Sequence, residues 1–384
     1  MSGWRTKKLS DVLEVQNGYA FDSKAFSLSK GMPLIRIRDL KGGMKTETRF
    51  SGDYDKKYVV NAGDLLIGMD GEFGCYEWKG SPALLNQRVC RLQGFTSDLL
   101  QRFLFYGVNS HLKAIEDVTG YATVKHLSSK QILDIDFPFP PLPEQNRIVA
   151  ILDEVFAGIA AAVANTEKNL ANARELFESH LNAFFTRKGE GWVEKKLGQV
   201  SENLDSKRVP ITKNKRAKGQ IPYYGASGIV DYVADYIFNE ELLLVSEDGA
   251  NLLARTYPIA FSVEGKAWVN NHAHVLRFQK RAYQKFIEYY LNSIPLEPYV
   301  SGMAQPKLNQ KSLHSITVPW HNDINEVALV VDQVTAIETK TQRLESIYRQ
   351  KLDSLAELKQ SILQKAFSGE LTANPDKILN EVCL

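Results

Sequence analysis

Hydrophobic and polar positions alternate in two textures along the 384-residue chain. The first is short and β-rich. LIRIRDL (residues 34–40) alternates apolar and charged positions and predicts a strand, with Ile35 and Ile37 on one face and Arg36 and Arg38 on the other. The stretch YVVNAGDLLIGMDGEFG (58–74) is cut into short runs by Gly-Asp and Asp-Gly pairs, and ELLLVSEDGAN (241–251) repeats its style. The Asp70-Gly71 and Asp248-Gly249 pairs are expected to be hairpin turns rather than contact residues, with the shaping of a neighbouring loop as the alternative.

The second texture is helical and long. After PPLPEQ (140–145), where prolines end the preceding strand and Glu144 suits a helix N-terminus, apolar residues recur at three- and four-residue intervals. The predicted seam runs through Leu152, Val155, Ile159, Leu170, Phe177 and Leu181. A second stripe follows through Val334, Ile337, Leu344, Tyr348, Leu355 and Ile362 and stops at Gly369. About 40 residues at ~1.5 Å each give a rod of roughly 60 Å. Such spacing is that of a coiled coil, and the simplest partner for one rod is the other. The alternative is a pair of helical hairpins that each close one globule.

The two textures occur twice because the chain is written twice. GWRTKKLSDV (3–12) returns as GWVEKKLGQV (191–200). Gly120, Lys125, Lys130, Ile132 and Pro138 have counterparts in Gly302, Lys307, Lys311, Leu313 and Pro319, and Leu181 and Phe185 in Leu363 and Phe367. The period is far longer than that of a solenoid, so two large homologous halves are predicted. The expected fold is α+β: two globules separated by two long antiparallel coiled-coil helices, with a pseudo-twofold, nearly circular repeat. If each repeated opening packs where a rod ends, the first copy meets the end of the last rod. The expected segments are 1–143 and 191–322 for the globules, 144–190 and 323–371 for the helices, and 372–384 for a tail.

Composition narrows the chemistry. The chain is 44% hydrophobic and 24% charged with a formal net charge of +2, so any basic surface is local. Its three cysteines, Cys75, Cys90 and Cys383, share no motif spacing and read as reduced thiols. No apolar run approaches the ~20 residues of a membrane span, and the N-terminus lacks a signal-like core. A phosphate-binding loop, a dinucleotide turn, a zinc-protease helix and a C-x-x-C pair are all missing, as is the Asn/Asp-Pro-Pro-aromatic stretch of an adenine methyltransferase. His272 and His274, two apart on one predicted strand face, are half a metal site at most, and no metal is expected.

DNA contact suits the side chains better than catalysis. Arg36, Arg38, Lys41 and Lys45 follow one another in the first half. Lys207, Arg208, Lys213, Lys215 and Arg216 crowd a Pro-containing loop in the second. Asn86, Gln87 and Arg88, and in the matching place Asn270, Asn271 and His272, carry the groups that pair with base edges: Asn and Gln with adenine, Arg with guanine. Each charge taken singly also fits an ordinary solvated surface.

With these residues in view, the chain closely resembles the specificity (S) subunit of type I restriction–modification systems. The resemblance rests on NGYAFDSKAF (17–26), PLIRIRDL, GDLLIGMDGEFG, PLPEQNRIVAILDEV (141–155), IPYYGASGIVDY (221–232), LLVSEDGANLL, VNNHAHVL and LAELKQSILQKAFSGELT (355–372). It implies two target-recognition domains, each reading half of a split, asymmetric DNA site, with the helices as a ruler for the unread gap. It implies no catalytic site on this chain. Two modification subunits would bring S-adenosylmethionine and adenine methylation; restriction subunits would bring ATP- and Mg-dependent translocation and cleavage. A bacterial or archaeal cytoplasm and a role in phage defence follow from the same resemblance. The second half departs from it: PPLPEQNRIV is replaced by PWHNDINEVA (319–328), so the two docking places need not be equivalent. An orphan DNA-binding regulator and a coiled-coil scaffold are the competing readings, although no short helix-turn-helix stands out.

Overall fold

The computed structural model describes residues 3–42, 45–119, 125–186, 189–302 and 305–372. Gly120, Cys383 and all of the expected tail except Thr372 lie outside them. The chain divides into two compact units. Residues up to 165, together with those from 352 onward, form the first; residues 166–351 form the second.

The units repeat one plan. In the first, the strand Arg5–Lys8 pairs antiparallel with Asp136–Phe139, Arg5 opposite Phe139; in the second, Val193–Lys196 pairs in the same way with Thr317–Trp320, Val193 opposite Trp320. Each unit has a four-stranded antiparallel sheet. Its spatial order in the first is Glu14–Asn17, Val89–Gln93, Leu65–Gly68, Cys75–Glu77, and in the second Glu202–Asn203, Ala273–Arg277, Leu242–Ser246, Ala260–Val263. Leu65–Gly68 and Leu242–Ser246 are central strands and fully buried, which is why they read as unbroken apolar runs. A second sheet, five-stranded in the first unit and four-stranded in the second, precedes the inner strands Val89–Gln93 and Ala273–Arg277. An amphipathic helix, Gln101–Val118 or Arg281–Ser293, closes the core.

Both long helices are continuous, Leu142–Thr186 with 45 residues and Ile324–Phe367 with 44. The first starts with Pro143 in a turn where a missing N–H breaks no helical bond. Gln145 explains the PLPEQ segment physically. Fully buried, its amide nitrogen donates to the carbonyls of Asp98 and Pro140, both at 2.8 Å, and its oxygen accepts from the Leu100 N–H at 2.9 Å. The second helix has a plain cap instead: Asp323 accepts from the Asn325 N–H at 2.9 Å.

In the first unit, Leu152, Val155 and Ile159 share a core with Ile362, and Leu355 packs against it. In the second, Leu181 and Val334 form a small buried cluster that Phe177 joins. Leu170, Ile337 and Tyr348 are half-buried, but Leu344 is 41% exposed. At that level Glu345 faces the first helix instead, where Arg174 binds it at 3.1 Å. A straight helix drifts against a strict 3.5-residue repeat, and the seam has moved on by one position. The first long helix also holds an 18-residue window of mean hydropathy 1.8, so by length and composition it is apolar enough to cross a membrane. Asp153 and Glu154 interrupt that window, so it is not an unbroken apolar run.

LIRIRDL is a strand only in its first residues, not throughout as its alternation predicts. The strand is Met32–Ile35 only, and Ile37–Asp39 forms a 3-10 turn. The Asp39 carboxylate accepts from the backbone N–H of Arg36 at 2.9 Å, a local bond that outcompetes further strand pairing. Arg36 and Arg38 therefore do not leave one strand face side by side.

Candidate nucleic-acid interface

In each unit a turn leads into the inner strand of the four-stranded sheet. Asn86, Gln87 and Arg88 precede Val89–Gln93, and Asn270, Asn271 and His272 precede Ala273–Arg277. Asn86 and Asn270 are buried, whereas Gln87, Arg88, Asn271 and His272 are exposed. Asn270 shapes its turn by accepting from the His272 N–H at 2.8 Å. The Asn86 side-chain oxygen is buried without a partner. Arg88 has φ +70°, a left-handed conformation that a non-glycine residue adopts at a cost.

The Asp-Gly loops do more than turn the chain. Asp70 receives the Nδ1 of His126 at 2.7 Å and lies 3.5 Å from Arg88 Nε. Asp248 lies 2.9 Å from His272 Nδ1. The glycine N–H of each loop donates to the chain near the paired lysines, Gly71 to Lys125 and Gly249 to Pro306, each at 3.0 Å. Both glycines have positive φ, +79° and +110°. Each unit thus presents an exposed cationic or imidazole side chain steered by the carboxylate of an Asp-Gly loop. The residue is Arg88 in one unit and His272 in the other.

The remaining candidates separate into outward and inward groups. Arg38, Lys41, Lys45, Lys207, Lys213 and Lys215 are exposed. Lys41 pairs with Glu72 at 2.5 Å, which raises its pKa above the ordinary lysine value. Arg36 is half-buried. Arg208 turns inward to Glu247 and to the Ala273 carbonyl, both at 2.7 Å. Arg216 donates to the Ile211 carbonyl and to Asp231 and stacks 4.3 Å over the Tyr223 ring. Burial alone would raise the Asp205 pKa, but hydrogen bonds from His274 and from the Val275 N–H outweigh it and hold it low.

His272 and His274 do not converge, since the strand begins at Ala273. His274 is buried against Asp205 at 2.6 Å and the Leu308 carbonyl at 2.7 Å. Asp205, Glu247 and His274 do lie close enough to hold a metal. Arg208 and Lys307, 2.7 and 3.2 Å from Glu247, already supply cations there.

Two features escaped the sequence reading. Tyr19, exposed, donates its N–H to the Leu85 carbonyl and its own carbonyl accepts from the Gln87 N–H, so its backbone pairs with the Asn86–Arg88 turn while its ring packs against Phe21 and Tyr58. The other is the hairpin of Lys218–Gly225 and Gly228–Val233. Its signal, a two-residue break inside YYGASGIVDY, was present in the chain.

Two repeated α+β units, each with part of both long helices and an exposed turn carrying groups able to pair with base edges, define the class of the protein. Comparison gives this class a family. The model described as "Type I restriction modification DNA specificity domain" matches residues 1–170 and again 189–348. The chain is 30% identical, over an alignment of 433 residues, to the type I restriction enzyme EcoBI specificity subunit of Escherichia coli, covering 98% of this chain and 89% of that one. A putative type I restriction enzyme specificity subunit of Haemophilus influenzae is 33% identical over 148 residues, 38% of each chain. A structure titled for complex assembly and conformational transition of the type I R-M system aligns with a TM-score of 0.73 at 18% identity, over 97% of this chain and 99% of that one. The HsdS subunit of Thermoanaerobacter tengcongensis aligns at 0.54 and 19%, over 97% and 98%. The chain belongs to the type I restriction–modification DNA specificity family.

Proposed function

We propose that this chain supplies the DNA specificity of a type I restriction–modification complex, each unit reading one half of a bipartite asymmetric site. The observation that carries the reading is the repeated loop pair. Two topologically equal turns, beside two equal Asp-Gly loops, expose different side chains: Gln87 and Arg88 in one, Asn271 and His272 in the other. Equal frames with unequal readers are what two different half-sites require. Arg38, Lys41, Lys45, Lys207, Lys213 and Lys215 meet phosphates and supply affinity and salt dependence, while the turns supply specificity. Arg208 and Arg216 hold the loop in shape.

The boundaries 1–143 and 191–322 for the recognition domains, and 144–190 and 323–371 for the spacers, go with this reading. So do two modification subunits carrying S-adenosylmethionine, restriction subunits carrying ATP and Mg, and a cytoplasmic location. Support for the partners is the family membership. Co-expression with the neighbouring methyltransferase gene and long-read mapping of adenine methylation tests the reading. One split motif with a fixed gap is expected; an assembled complex that methylates nothing, or a continuous motif, overturns it.

A further inference from the structure

The Lys218–Val233 ribbon has an irregular register. Tyr223 faces Asp231 and Tyr224 faces Ile229, which leaves Val230 as an unpaired bulge residue. In a regular strand, neighbouring side chains take opposite faces. The bulge re-aims them. As a result Ile229 and Val230, consecutive and β-branched, are 48% and 55% exposed, with Tyr232 beyond them at 51%. Their strand is the outer one of its sheet, in the order Gly228–Val233, Lys218–Gly225, Lys266–Val269, Phe238–Asn239. An apolar, uncovered edge is a liability unless something occupies it.

The surroundings identify the occupant as an anionic polymer. The loop that feeds the ribbon exposes Lys213 and Lys215, and the ribbon opens with exposed Lys218. The one carboxylate between the apolar residues, Asp231, is tied to Arg216 at 3.0 Å and held below the usual aspartate range by that bond, so it is neutralised locally. The ribbon also continues the candidate interface. The Asn270 N–H donates to the Tyr224 carbonyl at 3.0 Å, and the Ser246 hydroxyl donates to the Ala226 carbonyl in the ribbon's turn. A two-stranded ribbon matches the ~12 Å width of the B-DNA major groove, where thymine displays its 5-methyl group.

We propose that the ribbon enters the major groove of the half-site read by the second unit, Ile229 and Val230 contacting thymine methyl groups while Lys213, Lys215 and Lys218 meet the flanking phosphates. This rests on the DNA-reading function proposed above and adds a second reading element beside the Asn270–His272 turn.

The test uses the complex of the full chain with its methyltransferase partner and duplexes bearing the mapped motif, with binding followed by anisotropy over a salt series. With the unmutated complex, replacing thymine by deoxyuridine in the second half-site is expected to weaken binding about fourfold per contacted methyl; the same change in the first half-site sets the comparison. The double variant Ile229→Ser, Val230→Ser should lose that sensitivity and bind a random duplex as before. Lys213→Ala with Lys215→Ala should lower the salt slope by roughly 0.9 for each phosphate left without its lysine. A duplex whose second half-site tolerates deoxyuridine everywhere, a double variant that keeps full sensitivity, or one that instead loses its methyltransferase partner overturns the ribbon's role while the split motif stands. A wild-type complex without any split motif overturns the underlying reading and the ribbon with it.

Discussion

The ring of Phe367, the last residue of the second long helix, lies 5.0 Å from that of Phe103. Phe103 in turn lies 6.1 Å from Trp4, in the repeated opening of the chain. The second unit joins the matching residues in the same order: Phe185 is 5.3 Å from Phe286, which lies 5.1 Å from Trp192. Each copy of the opening therefore sits where a long helix ends, as its repetition led one to expect. The first copy receives the end of the last helix, so the repeat closes on itself.

Gly107 makes room for that closure. A Cβ there would stand 2.4 Å from the Phe367 ring and 2.9 Å from that of Phe137. Glycine inside a helix costs about 1 kcal/mol relative to alanine, so its presence at this position reflects space. Gly107→Val is expected to lower stability by about 1–3 kcal/mol through overpacking. Hydrogen exchange should show the loss concentrated in residues 352–367, and thermal unfolding gives its size.

Gln145 joins the start of the first long helix to the loop before Gln101–Val118 by two hydrogen bonds, to Asp98 and Leu100, and makes a third to Pro140 just ahead of its own helix. Gln145→Ala strands one N–H and two carbonyls in a buried place, each worth about 1–3 kcal/mol if left unpaired. Denaturant unfolding should place the loss at no less than about 2 kcal/mol; a loss under half of that shows that the helix start does not depend on this residue.

Acid sensitivity should include Asp98. The Lys7 ammonium at 2.8 Å, aided by Thr96, lowers its pKa to about 2. A carboxylate depressed in the folded state stabilises above its unfolded pKa, ~3.9, and that share is lost as pH falls towards about 2. Both partners are partly exposed, so the share is below about 1 kcal/mol after screening. Asp98→Asn should lower stability by that amount at pH 7 and flatten the stability curve between about pH 4 and 2. Parallel curves for the two proteins would deny the pair any role.

Cys75 and Cys90 are buried free thiols, and burial raises both pKa values, that of Cys90 to about 12. A thiol so far above neutral pH is a poor nucleophile. Peptide mass mapping after brief alkylation at pH 7.5 should find both unlabelled in the native protein and labelled in denaturant. Labelling of either one under native conditions would mean that its sheet opens readily.

Much of this architecture was legible because it depends on period. Long helices announce themselves by three- and four-residue spacing, and the duplication by repeated text. Features set by a single competing bond were not legible. LIRIRDL alternates like a strand, but one carboxylate, that of Asp39, closes a turn at Arg36. Leu344 fits a 3.5-residue seam, yet the straight helix delivers Glu345 to Arg174. At the candidate interface, Arg88 and His272 were legible as contact residues and the Asp70 and Asp248 pairs as turns, but the ion pairs between them, and the part of His126, arise only through folding. The exposure of Ile229 and Val230 depends on a bulge, and no pattern of residue types fixes where a bulge falls.

The ruler makes a metric prediction. Four residues added within 157–169, with four more opposite them in the second helix, lengthen the pair by ~6 Å, about one turn. The unread gap of the methylation motif should grow by roughly one to two base pairs at ~3.4 Å each, with both half-sites unchanged. A gap of the original size would rule out the helices as its measure.

The central claim is that each unit reads its own half-site. Exchanging residues 191–319 for the matching segment of a relative with a different methylation motif, then mapping adenine methylation, tests it most directly. One half of the motif should change to the donor's while the other half and the gap stay. An assembled complex in which both halves change, or neither does, would contradict it.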